Sequence, residues 1–377
     1  MRLLLNLAIP RMQRLKRRWR SEVFPQAMLG IGLVALIVVL FSVDLHQRYI
    51  AAIDQGKKSA QNFAEILSEH TALTFENVER MLREAAKIRK DSLEGDYASL
   101  EDVNVALRLL AKTSPAVVAV GWTDATGKLV AHSYDGAPPR TNVSQMAHFA
   151  AHRDYASDRI YVSSPFRSAA SNKWLTAASL RLSNDDGTFA GIVTTPLDQS
   201  YFAKIYRSID LGKEGSILLL HRDGLLLARE PALESAMGRS FASAPLLAQH
   251  LPKSDAGSYE SLSAVDSVPR VAGYRAVRGL PLVVLVSYGR DTILRGWYRH
   301  LLIFGPFVAL ATAAILLGTW LLAKQARILA EQSGSLQTNS HELEQINARF
   351  DMALSQMPNG LVMWDGDQRI VIANREA

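Results

Sequence analysis

Two stretches of this 377-residue chain carry no charge: residues 24–43, FPQAMLGIGLVALIVVLFSV, and residues 301–323, LLIFGPFVALATAAILLGTWLLA. At about 1.5 Å rise per residue, each is long enough to cross a hydrocarbon core of about 30 Å. Buried helices of soluble proteins rarely run so far without a polar face, so both are expected to be transmembrane helices. Gly305 and Pro306 do not veto the second, because membrane helices tolerate both residue types. Trp297, Tyr298 and Trp320 bracket it as interfacial aromatics do.

Flanking residues set the expected orientation. The first run is too long for a signal-peptide core, and SVDLHQR follows it in place of a small-residue cleavage site, so it reads as an uncleaved anchor. Residues 1–23 hold Arg2, Arg11, Arg14, Lys16, Arg17, Arg18 and Arg20 against the single acid Glu22, enough to account for the formal net charge of +6. This basic segment predicts a cytoplasmic N-terminus, with residues 44–300 outside and a return to the cytoplasm at Lys324, where Arg327 adds weak support. Arg290, Arg295 and Arg299 oppose that reading, but a long translocated domain mutes the rule. With the charge explained this way, no nucleic-acid partner is called for. The chain has no cysteine, which excludes disulfides, thiolate metal sites and cysteine catalysis. An external region this large can fold on a core alone, as suits a bacterial periplasm. The expected location is the bacterial inner membrane, as a multi-pass protein.

Three hairpin phrases recur along the chain: GWTDATGKLVAHS (121–133), LLLHRDGLLLARE (218–230) and LVMWDGDQRIVIAN (361–374). Apolar positions at three- and four-residue steps predict a stalk helix over 44–93, about 75 Å long, and a second helix over 100–112 stops before Ser114-Pro115. Strands are expected at 117–123 and 129–133, a helical turn at 146–152, and strands at 160–165, 174–182 and 189–197. The order then restarts: a helix at 199–208, strands at 217–221 and 225–229, a helical or irregular stretch at 243–250, and strands at 257–263, 270–276 and 282–288. The repeated order predicts two tandem copies of one α/β unit, a distal unit over 94–205 and a proximal unit over 206–290. Beyond the second apolar run, Leu322, Leu329, Leu336, Leu343, Phe350 and Met357 recur every seven residues. They mark residues 324–357 as a linker helix, either a weak parallel coiled coil or an ordinary amphipathic helix. Pro358-Asn359-Gly360 ends it, and the third hairpin over 358–377 reads as the start of a domain, because two strands make no core of their own.

The stretches HFAAHRDYASDRIYVSSPFRSAASNKWLTAASLRLSNDDGTFAGIVTTPLDQSYFAKIY (148–206) and DLGKEGSILLLHRDGLLLAREP (210–231) resemble the double-Cache (dCache) sensors of bacterial diguanylate cyclases and histidine kinases. RFDMALSQMPNGLVMWDGDQRIVIANREA (349–377) resembles the start of a cytoplasmic PAS domain, including Asn374 after its second strand. The resemblance implies an α+β fold: two tandem PAS-like (Cache) units on a long N-terminal helix, flanked by two transmembrane helices, with a linker helix and a partial PAS hairpin behind them. It further implies that the distal unit binds a small molecule and that output modules lie further C-terminal.

In amino-acid-binding dCache sensors, an arginine, aromatic residues and a terminal aspartate grip the ligand's carboxylate and ammonium groups. The chemistry is a guanidinium fork for the carboxylate, and a carboxylate with π-faces for the ammonium. By position, Arg159 and Tyr161 resemble the Arg-x-aromatic part, Trp174 the facing aromatic and Asp198 the terminal aspartate. No Arg-x-Trp-Tyr occurs in the distal unit over 94–205. The same residues also read as a solvated arginine, a core tryptophan and, for Asp198, the N-cap of the following helix. His148 and Arg167 complete the candidate ligand set. His148 and His152, four apart, share a helix face but lack an evident third metal ligand, so no metal site is expected. Ser340-His341-Glu342-Leu343 lacks the continuation of a phospho-acceptor box and reads as a solvated helix position. No hydrolase, zincin, P-loop or dinucleotide motif occurs, so neither enzymatic activity nor a cofactor is expected of this chain. It reads as a homodimeric transmembrane receptor for a small periplasmic ligand, relaying to a cyclase or kinase output module. The alternatives are the sensor region of a chemoreceptor and a ligand-free membrane-anchored scaffold.

Overall fold

The computed structural model describes residues 2–138, 140–168, 172–356, 362–367 and 369–373. Met357, Pro358-Asn359-Gly360 and Asn374 lie outside the described residues. The chain divides into two units, Gln47–Arg299 and Met1–His46 with His300–Ala377.

The first helix, α1 (Arg2–Glu94), is the spine of the Gln47–Arg299 unit from Gln47 onward. Its buried positions Ile53, Ala60, Ala64, Leu67, Phe75, Val78, Leu82, Ala85 and Ile88 form one apolar stripe, as the three- and four-residue steps of the sequence require. After a break, α2 (Leu100–Ala111) begins at Ser99, whose side chain accepts the Asp102 N–H at 3.2 Å. That N-cap satisfies one of the free amides of the first turn.

Two antiparallel sheets follow. The distal one comprises β1 (Gly121–Thr123), β2 (Leu129–His132), β3 (Tyr161–Val162), β4 (Phe166–Arg167), β5 (Trp174–Ser183) and β6 (Phe189–Asp198), in the order β2-β1-β6-β5-β3 with β4 also on β5. The helix α3 (Ala147–Asp154) interrupts it between β2 and β3, and α4 (Gln199–Arg207) leads out of it. The proximal sheet comprises β7 (Ser216–His221), β8 (Leu226–Glu230), β9 (Ala256–Leu262), β10 (Pro269–Ala276) and β11 (Leu282–Gly289), in the order β8-β7-β11-β10-β9. The two orders are the same, hairpin first and three further strands laid back beside it.

The likeness extends to single bonds. Gly127 and Gly224 occupy the two hairpin turns at φ +84° and +97°, a region glycine enters without penalty. The Val143 N–H donates to Gly127 O at 2.9 Å, and the Phe241 N–H to Gly224 O at 2.8 Å. In each unit the loop after the hairpin thus docks on the turn. Asp124 and Asp365 hold the first and third turns alike, each accepting backbone N–H groups two and four residues on. The third hairpin pairs β12 (Val362–Trp364) with β13 (Ile370–Ala373).

Two expected strands are shorter than their patterns. Of 117–123 only β1 pairs continuously, with Val117 making one bridge to Leu197. Of the expected strand at 160–165 only β3 forms, and β4 pairs just beyond it. Pro165 has no N–H to give the ladder, and Ser163 Oγ takes the Ala177 N–H. The expected boundaries between second span and linker also vanish into one helix, α5 (Arg290–Ser355), which carries Pro306 inside it.

Both sheets use the same spine. Buried residues of α1, α2, β5, β6, β7 and β11 belong to one apolar cluster. The approach is close at Gly273 of β10, where a Cβ would lie 2.3 Å from the Gln61 backbone nitrogen. In the unit formed by the chain ends, Gly30 faces Thr319, and His300 Nε2 lies 3.0 Å from Asp44 Oδ2. The two helices therefore run antiparallel there. Each is long and apolar enough to cross a membrane, and Leu29, Leu40, Leu302, Phe307 and Leu310 are left exposed by the protein itself.

Gly273→Ala is expected to push α1 from the proximal sheet and cost about 1–3 kcal/mol, the usual range for overpacking. A urea titration of the full chain followed by tryptophan fluorescence checks this, since an unchanged midpoint would mean that the spine yields freely.

Candidate functional site

On the face of the distal sheet turned away from α1 lies a cavity of about 90 Å³. Strand alternation decides what reaches it. From β5, Leu175 and Ala177 line the cavity; from β6, Thr194 and Pro196; from β4, Phe166, with Ser168 just beyond. Trp122 lies opposite Ala131 and Thr123 opposite Leu129, so Val130 has no partner. That bulge turns Leu129 and His132 to the same side, and both line the cavity. The loop docked on Gly127 supplies Tyr134, Arg140, Val143 and Met146, and α3 supplies His148.

Two imidazole nitrogens in this cavity are short of partners. His148 is only 4% exposed, and neither its Nδ1 nor that of His132 has a hydrogen-bond partner among the described residues. Burial, with His152 nearby, pushes the His148 imidazole down to about 4, so it is neutral at physiological pH. Burial also raises the Tyr134 phenol. Arg140 is exposed on the rim. His152 is turned elsewhere, its Nε2 lying 3.1 Å from Ser179 Oγ; burial, above all, lowers its pKa. No cluster of three metal-ligating side chains occurs among the described residues.

Of the six residues singled out from the sequence, His148 reaches this cavity. Arg167 alternates away from it and donates through Nε to Asn172 O at 3.2 Å. Trp174 turns to the opposite side of β5 from Leu175, and its ring sits where a Cβ on Gly238 would fall. Asp198 caps α4, accepting the Ser200 N–H at 2.8 Å with Lys173 Nζ at 3.5 Å. Arg159 is exposed in the loop before β3, and Tyr161 meets the His152 ring edge-on at 6.0 Å. His132, Tyr134 and Arg140 carried no signal in the sequence, because a bulge and a docked loop bring them in, while Phe166 and Thr194 arrive by the parity of β4 and β6.

The proximal unit holds an equivalent cavity of about 50 Å³. The shared register aligns Gly121 with Leu218 and their partners Thr194 with Leu285. The shared loop docking aligns His148 with Leu246. Three leucines line the proximal cavity where the distal one has glycine, threonine and histidine.

A family model described as a dCache_1-like histidine kinase sensor domain matches residues 199–287. The crystal structure of the extracellular domain of rpHK1S-Z16, a proposed histidine kinase, is 33% identical with a TM-score of 0.59, over 66% of this chain and 100% of that one. The chain belongs to the dCache sensor-domain family. The periplasmic sensory domain of the Campylobacter jejuni chemoreceptor Tlp1 shares the fold, at 10% identity and a TM-score of 0.52, over 64% of this chain and 98% of that one. The ligand-binding domain of the Pseudomonas fluorescens chemoreceptor CtaA, solved with L-isoleucine, aligns at 17% identity and a TM-score of 0.49, over 65% and 97% of the two chains. No curated protein matches the chain.

In this dCache unit the buried imidazole has a cost. Unfolded histidine protonates near 6.5, and native His148 near 4. Between those values the unfolded chain binds the extra proton, so stability falls as pH drops from about 6.5 toward 4, by at most about 1.4 kcal/mol per pH unit. His148→Leu, which installs the proximal counterpart, is expected to flatten the fall in thermal midpoint between pH 7 and pH 5. An unaltered slope would assign the acid sensitivity to other groups.

Proposed function

We propose that the chain is the sensory and transmembrane part of a homodimeric receptor whose distal unit takes a small extracytoplasmic ligand. The observation that carries this is the divergence of two equivalent cavities. One copy is lined with leucine and holds about 50 Å³; the other holds about 90 Å³ and presents buried polar atoms without partners among the described residues. A buried donor or acceptor left unpaired costs about 1–3 kcal/mol, and a ligand that satisfies it recovers that energy. A scaffold would have no use for the retained space.

Continuity of the chain supports a relay. β11 ends at Gly289 and α5 begins at Arg290, so a displacement of the sheet enters the helix without an intervening loop. α5 holds the second apolar run and then Leu329, Leu336, Leu343 and Phe350, all exposed on their own chain. In a dimer this seven-residue stripe would find its partner. Ile66 and Leu73, seven apart on α1, are exposed likewise. The basic N-terminal segment supports a cytoplasmic N-terminus with the sensor outside. The resemblance of the C-terminal hairpin to a PAS start supports an output module of kinase or cyclase type.

The test is a broad small-molecule screen on the full chain in lipid nanodiscs, read by thermal midpoint. A saturable shift that disappears in Thr194→Leu, which carries the proximal residue into the distal cavity, is the expected result. A shift indifferent to that substitution places the ligand elsewhere, and no shift across the library favours a scaffold. For the dimer, single cysteines at Ile66 and Leu336 are expected to form intersubunit disulfides in membranes under mild oxidation. Failure at both positions counts against it.

A further inference from the structure

Taking the distal cavity as the ligand site, and resting on that reading, we infer that its ligand is a monocarboxylate with an apolar body and no ammonium group. The argument is one of charge and partners. Among the described residues, the cavity lining contains no aspartate, glutamate or lysine; its one charged side chain is Arg140. That guanidinium has no ion-pair or hydrogen-bond partner among the described residues, so its fork is available to a carboxylate. The two buried imidazole nitrogens of His132 and His148 lack partners among the described residues as well. A neutral imidazole can present an N–H from Nδ1, and the Tyr134 hydroxyl adds a further group that can donate, while Thr194 gives its own hydroxyl hydrogen to Ala178 O at 3.4 Å. The polar groups thus converge on an acceptor.

An ammonium group fares badly in the same place. It would face a guanidinium and find no carboxylate to pair with. Asp198, the acid that might have answered it, is held at the N-terminus of α4 by the Ser200 N–H and by Lys173. The aromatic that would offer a π-face, Trp174, packs at Gly238. What remains of the wall is apolar: Leu129, Val143, Met146, Phe166 and Leu175. A hydrocarbon body is the complement of that surface, and its burial supplies the non-directional part of the affinity.

Two matched series of probes decide the matter on the full chain in nanodiscs. The first is butyrate, butyramide, 2-aminobutyrate and butylamine; the second is benzoate, benzamide, phenylglycine and benzylamine. The expected result is a saturable rise in thermal midpoint with butyrate or benzoate. The matched amide, amino acid and amine should need at least about tenfold higher concentration, the penalty for one unsatisfied charge or hydrogen bond. Arg140→Gln should weaken the carboxylate about tenfold while Thr194→Leu abolishes its effect. If 2-aminobutyrate or phenylglycine acts at the same concentration as its carboxylate, or if Arg140→Gln changes nothing, the ligand class is overturned while the distal site stands. A carboxylate that still acts on Thr194→Leu overturns the site itself. Silence from all eight probes, with a response to another class in the wider screen, overturns the carboxylate inference alone.

Discussion

One stripe of side chains on α1 holds the sensor region together. From Ile53 to Ile88 the helix turns the same face inward, and that face is shared by both sheets. Fully burying a leucine, methionine or phenylalanine contributes about 1.5–3 kcal/mol, so Leu67, Phe75, Met81 and Leu82 are a large part of what opposes the chain entropy of the fold. The small residues of the stripe matter as much. Ala60 and Ala64 are wholly buried, and beside them Gly273 lets backbone meet backbone. A wide side chain at any of these points would hold helix and sheet apart.

With one face of each sheet committed to the spine, only the other face is free to vary. There the two copies have gone separate ways. Their hairpins, their glycine turns and the docking of the following loop on each turn remain alike. The proximal face has become a second small core around Leu218, Leu246, Phe241 and Tyr259. It is further tied by Asp266, which receives Arg229 at 2.7 Å and Arg270 at 2.6 Å. Burial alone would raise that carboxyl, but hydrogen bonds from Arg270 and Ser263 and the two guanidinium charges outweigh it and hold the group at about 2. The distal face has kept an opening, and stability there is spent on buried imidazoles.

Much of this was legible in the residues. The duplication could be read because turn chemistry is local: Asp124-to-Gly127 and Asp223-Gly224 announce their hairpins whatever surrounds them. The spine could be read because a buried helix face must repeat at three and four. The family followed from longer stretches, and the 33% identity of a solved relative agrees with it. The site was harder. His148 could be found as a histidine on a short amphipathic helix, but Arg159 and Tyr161 were chosen by their place in another motif. Strand parity sends Arg167 and Trp174 away from the cavity, and helix capping claims Asp198. His132 enters only because Val130 is a bulge, and Arg140 only because its loop folds back on Gly127. Neither event leaves a periodic trace.

The shared spine also limits how such receptors can be rebuilt. A designer wishing to graft a foreign distal module onto this proximal one would be tempted to cut between α4 and β7, where the chain passes from one sheet to the next. That cut leaves the incoming sheet resting on a helix whose knobs were shaped for its predecessor. A workable exchange has two seams: it must carry the α1 segment facing the distal sheet along with the sheet itself, and leave the residues around Ala60 in place to seat Gly273.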